Sequence, residues 1–140
     1  MPFAFITDCV VWGNTDEATG PESADQVYAR NDASVDVTIS YSDIYAAAGN
    51  IYDPGVRINI LAGTSFFPGM AGNISDDPLF VTGPDGGYYL SQTASGQGAD
   101  SPCMDTGSDT AVNLGLDTPT TRTDEVTDAA QVDMGYHYEP

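Results

Sequence analysis

A chain of 140 residues with a formal charge of -18, from 21 acidic residues against three arginines and no lysine, fits a single domain. Such a surface repels nucleic-acid phosphates and lacks the basic clusters that hold proteins on anionic lipid, so neither nucleic acid nor membrane insertion is expected. Hydrophobic residues make up 41% but fall in short runs, none near the ~18 consecutive apolar residues of a membrane span. The surface suits divalent cations, high salt or a cationic partner.

The N-terminal segment MPFAFITDCVVWGN has no basic stretch and no small-residue cleavage site, and reads as a strand entered midway, not as a signal peptide. FAFITDCVVW at 3 to 12 is rich in β-branched and aromatic residues and predicts the first strand, stopped at Gly13 and Asn14. TDEATGPESADQ at 15 to 26 predicts an acidic protruding loop, and Val27 and Tyr28 the start of a short strand. VDVTISYSDIY at 35 to 45, VRINILA at 56 to 62, PLFVT at 78 to 82 and GYYLS at 87 to 91 predict further strands. From residue 92 the texture turns irregular, with VDMGYHY at 132 to 138 as a candidate final strand. No window longer than about ten residues carries the helical period, so the domain is expected to be all β, a sandwich or a solenoid.

Six segments in order narrow this choice: DCVVWGN (8 to 14), VTISYSDI (37 to 44), GNISDDPLFV (72 to 81), GYYLS (87 to 91), SPCMDTG (101 to 107) and VDMGYHY (132 to 138). Together they resemble the C-terminal region of right-handed parallel β-helix repeat proteins of bacterial and archaeal surfaces. The resemblance implies parallel rungs over residues 1–91, stacked around a column of Val, Ile and Leu. Residues 92–140 would be an irregular capping tail on the same domain. Asn14 would be a rung-corner residue, Pro78 would fix the chain direction, and Leu79 and Phe80 would seal the core. INILAGTSFFPGM, 58 to 70, departs from the pattern. The implied location is extracellular or the cell surface, and the implied role a non-catalytic structural or adhesive end module. The alternative is a carbohydrate-binding or polysaccharide-cleaving module, with polysaccharide as partner. A first strand with no rung before it leaves an open edge, which implies a homo-oligomer, most simply a two-fold dimer.

For an exported protein Cys9 and Cys103 are either bridged, closing a long loop, or buried thiols, and burial is the commoner fate of free cysteine. Two cysteines and one histidine exclude a Cys and His zinc site. Calcium is the cofactor that the acidic clusters suit. Asp117, Asp124 and Asp128 lie in DTPTTRTDEVTD, and hard oxygens in irregular backbone fit its ~6 to 8 ligands, although no EF-hand spacing occurs. Bases for lyase or glycosidase chemistry are scarce: Arg57 and Arg122 read as structural ion-pair partners, and His137, between Tyr136 and Tyr138, as a packed or surface residue. Tyr45, Tyr52, Phe67 and Tyr88 are the candidate ligand-stacking aromatics. Tyr88 and Tyr89 must point to opposite faces of their strand, so at most one is core.

Overall fold

A computed structural model describes residues 3–12, 36–44 and 72–140. The β-branched and aromatic runs FAFIT and DVTIS form β1 (Phe3–Thr7) and β3 (Asp36–Ser40), each followed after a two-residue corner by a short continuation, β2 (Val10–Val11) and β4 (Asp43–Ile44). A hairpin of β5 (Phe80–Gly83) and β6 (Gly86–Leu90) follows. Helix is confined to short pieces such as the 3-10 turn Thr93–Ser95 and the four-residue α1 (Ala111–Leu114). The regular structure of the described residues is thus strand with almost no helix. No helix among them is long and apolar enough to cross a membrane.

β1 pairs in parallel with β3, Phe3 opposite Asp36 through Thr7 opposite Ser40, and β2 in parallel with β4, Val10 opposite Asp43. Asp43 also bridges in parallel to Ile74. One backbone shape therefore recurs at three levels, at Asp8-Cys9-Val10, Tyr41-Ser42-Asp43 and Gly72-Asn73-Ile74. The first residue of each is left-handed, with φ of 54° at Asp8, 47° at Tyr41 and 75° at Gly72. These corners break the two long strands expected at 3–12 and 35–45, because a left-handed residue turns the chain out of the pleat. Glycine is required at 72 for a second reason: a Cβ there would run into the Tyr41 ring, which lies over it.

The middle residues of the three corners hold the levels together. The Cys9 amide donates to Ser42 Oγ (3.4 Å), and the Ser42 amide to Asn73 Oδ1 (3.1 Å). Asn73, buried, returns its Nδ2 to the Ile39 carbonyl at 3.0 Å. Backbone bonds Asp43 N to Cys9 O (2.8 Å), Ile74 N to Ser42 O (3.0 Å) and Ile44 N to Ile74 O (3.1 Å) complete the stack.

Residues from all parts meet in one apolar cluster. Leu90, Cys103 and Met134 are fully buried, with Val10, Ile74 and Phe80 packed against them, and each large apolar side chain so buried contributes roughly 1.5 to 3 kcal/mol. Pro78 is also buried, and its carbonyl accepts the Ser101 hydroxyl at 2.7 Å, so Pro78 and Phe80 both serve the junction of stack, hairpin and tail. The tail returns to the first corner: Gly135 N donates to Asp8 O at 2.9 Å. The expected final strand at 132–138 does not form. Val132 N goes to Asp109 O, Met134 N to Cys103 O, Gly135 N to Asp8 O and Tyr138 N to Thr120 O, so consecutive amides serve different segments. Gly135, at φ 112°, breaks the extended line.

Candidate functional site

Where the first corner, the hairpin and the tail converge, they line an open cleft of about 310 Å³. Asp8 and Val10 form one side, Phe80 and Tyr88 of the hairpin a second, and Tyr136 of the tail the third. Alternation along β6 sends Tyr88 outward, 63% exposed, and Tyr89 inward, fully buried, as opposite faces require. Phe80 and Tyr88 meet edge to face, centroids 5.5 Å apart at 86°, and both line the cleft. Tyr136, also 63% exposed, is propped edge-on by Tyr138 (4.7 Å, 80°), which stacks on Tyr89 at 4.0 Å. The Tyr138 hydroxyl accepts the Tyr88 amide at 3.1 Å, tying both tyrosine walls to one buried ring.

Asp8 is held firmly. Its carboxylate accepts the Ser108 amide at 2.5 Å and the Ser108 hydroxyl at 2.6 Å, pinning tail to corner. Cys9, beside it, donates its thiol to the Thr7 carbonyl at 3.0 Å. Burial, reinforced by the Asp8 charge, pushes that thiol above its ordinary range and away from thiolate reactivity.

Two further clusters lie deeper. His137 Nε2 contacts Asp128 Oδ2 at 2.9 Å and Nδ1 contacts the Gly135 carbonyl at 3.2 Å, with the two side chains only 5% and 4% exposed. Neither ring nitrogen is left for an outside substrate. Asp133, also buried, accepts the Asp105 amide (2.7 Å), Gln92 Nε2 (3.0 Å) and the Thr121 hydroxyl. Nearer the stack, Cys103 donates its thiol to Asp43 Oδ2 at 3.2 Å, and burial, with the Asp43 carboxylate second, drives that thiol strongly upward. Burial lifts the Asp43 carboxyl to about 6, against the opposing pull of its bonds from Cys103 and the Asp76 amide.

Of the aromatics singled out in the sequence, Tyr88 lies in the cleft, and Tyr45, Tyr52 and Phe67 fall outside the described residues, as do Asn14 and Arg57. Asp117, Asp124 and Asp128 are not gathered into one site: Asp124 pairs with Arg122 (2.6 and 2.9 Å), Asp128 pairs with His137, and Asp117 is exposed. Among the described residues no three His, Cys, Asp or Glu side chains form a group able to hold a metal ion. Cys9 and Cys103 are separate thiols. Sequence reasoning passed over Asp8 and Tyr136 as site residues. Asp8 sits inside an apparent strand, and Tyr136 reaches the cleft only through the tail's long-range fold. No protein-family model, no curated protein and no solved structure matches this chain.

Proposed function

We propose that the chain is the end of a right-handed parallel β-helix, with the tail as its cap, and serves as a non-catalytic structural or adhesive module of a secreted or cell-surface protein. The observation that carries this reading is the corner repeated at Asp8, Tyr41 and Gly72 with parallel pairing between successive levels. The middle side chains Ser42 and Asn73 each accept the amide of the level before, so neighbouring levels are joined one to the next as in a solenoid. The commitment of His137, Asp128 and Asp133 to internal bonds favours a scaffold role for the tail. Among the described residues β1 pairs with β3 alone, and Phe5 is 73% exposed. Both support the reading that the outer edge of β1 receives a second copy of the chain.

A reducing-sugar assay on soluble polysaccharides tests the non-catalytic reading: no product is expected, and release of reducing ends would overturn it. Light scattering across concentration tests self-association, with a dimer expected and a monomer up to the millimolar range ruling it out.

A further inference from the structure

We propose that the cleft between Asp8, Phe80, Tyr88 and Tyr136 binds a small organic ammonium ion, of the quaternary trimethylammonium type. Three features of the site converge on this ligand class. The first is the aromatic lining. Phe80 and Tyr88 stand perpendicular, Tyr136 lines the cleft from the tail with Tyr138 edge-on to it, and both tyrosines are 63% exposed. Ring faces carry negative quadrupole density, and a cation within ~6 Å of several of them is attracted by each.

The second is charge. Asp8 lines the cleft, its carboxylate fixed close by through two bonds from Ser108, in a molecule of net charge -18 with no lysine and three arginines. Arg122, the only arginine among the described residues, is engaged with Asp124. That field concentrates cations and repels acidic ligands. The third is size: about 310 Å³ lies at the small end of ligand pockets and suits a compact head group. A neutral sugar would use the same rings but would not exploit the charge.

Titration calorimetry with choline tests the proposal, beside tetramethylammonium, the neutral carbon analogue 3,3-dimethylbutan-1-ol, and methyl glucoside. Choline and tetramethylammonium are expected to bind in the millimolar range or tighter, about tenfold more tightly than the neutral analogue. Binding should weaken as salt rises toward ~1 M. Tyr88→Ala, which removes an exposed ring, should weaken choline binding several-fold while leaving the melting temperature close to that of the parent. Asp8→Asn, which keeps an acceptor for the Ser108 amide and tolerates the left-handed corner, should weaken choline binding several-fold even though it lowers the melting temperature by giving up a charge-assisted bond. Upfield ring-current shifts of the choline methyl protons provide a readout on the unaltered chain. Equal affinity for the neutral analogue would reduce the cleft to an apolar pocket and overturn the proposal. Preference for the glucoside would replace it with a saccharide site. Absence of heat and of shift up to ~50 mM choline would reject it, and none of these outcomes bears on the stacking of the corners.

Discussion

The stacked corners and the tail satisfy their buried polar groups in opposite ways. In the stack a group finds its partner one level away: Cys9 meets Ser42 33 residues on, and Ser42 meets Asn73 31 residues on. A few positions, repeated, hold the arrangement. In the tail, side chains replace register. Asp133 takes three donors, Asp128 takes His137 and the Asp133 amide, and Thr120 Oγ1 takes the Arg122 amide while donating to the Val126 carbonyl. Among the described residues no buried side-chain nitrogen or oxygen lacks a partner, so both strategies succeed. They differ in where they are vulnerable. A stack tolerates changes that keep the corner shape, whereas a network built on single hubs fails when a hub goes.

The largest effect is therefore expected at the principal hub. Asp133→Ala leaves the Asp105 amide, Gln92 and Thr121 without their acceptor in a buried site. It should cost about 4 kcal/mol in a urea titration, since each orphaned group carries its own desolvation penalty. Val112→Ala, on the exposed face of α1, should stay within about 0.5 kcal/mol. If both substitutions cost the same small amount, the tail is not held by its polar hubs.

Next comes pH, which reaches the seam between stack and tail. Burial raises the Asp43 carboxyl from 3.8 to about 6, while Asp133 is raised in the same direction for the same leading cause. A raised carboxyl means that the folded chain holds a proton which the unfolded chain has already released. Its contribution is fully present below the ordinary carboxylate range and is lost as pH rises through about 6. For Asp43 this is on the order of 3 kcal/mol between about pH 4 and pH 7. Asp43→Asn, neutral at every pH and still able to accept the Asp76 amide, should flatten that part of the profile and be more stable than the parent above pH 6. An unchanged slope in Asp43→Asn would assign the pH response elsewhere.

Much of the strand content was legible because Phe, Val, Ile and Thr cluster in FAFIT and DVTIS, whereas the antiparallel pairing of β5 with β6 departs from the parallel rungs expected as far as residue 91. The corners were harder to see. ITDCVV, ISYSDI and the GNIS that ends the third copy share a shape and not an identity, since Asp, Tyr and Gly occupy the left-handed position. Only glycine advertises that conformation, and a tyrosine there reads as part of a strand. The tail's order was hidden for another reason. Its Asp and Thr residues resemble solvated coil in composition, and only long-range contacts, such as Asp8 with Ser108 100 residues away, turn them into structure. The cleft inherits this: Tyr88 could be chosen from the alternation of one strand, but Asp8 and Tyr136 could not.

A smaller effect, confined to the stack, is expected for Gly72→Ala. The new Cβ must adopt the left-handed φ of 75° and displace the Tyr41 ring. The combined cost should be about 2 kcal/mol. Gly87→Ala, with open space around its Cβ, is the matched control and should be nearly silent. In the double variant Tyr41→Ala, Gly72→Ala, the ring clash is gone while the φ cost remains, so the two substitutions should be clearly non-additive. Additivity would mean that Tyr41 does not sit over Gly72.

The smallest effect tests whether the three corners are interchangeable. Asn73 occupies the place that Ser42 holds one level earlier, and both accept the amide of the preceding level through a side-chain oxygen. Serine at 73 can therefore keep the bond to Ser42 N and lose only the Asn73 Nδ2 donation to Ile39 O. That single bond is worth about 1 kcal/mol. Alanine at 73 strands the Ser42 amide and the Ile39 carbonyl together and should cost about twice as much. The ratio is the informative quantity, because it compares a substitution drawn from the chain's own repeat with one that is not. Urea midpoints for Asn73→Ser and Asn73→Ala measure it directly. Equal losses would mean that a serine hydroxyl cannot reach Ser42 N from position 73, and that the corners share a backbone angle without sharing the bonding that joins one level to the next.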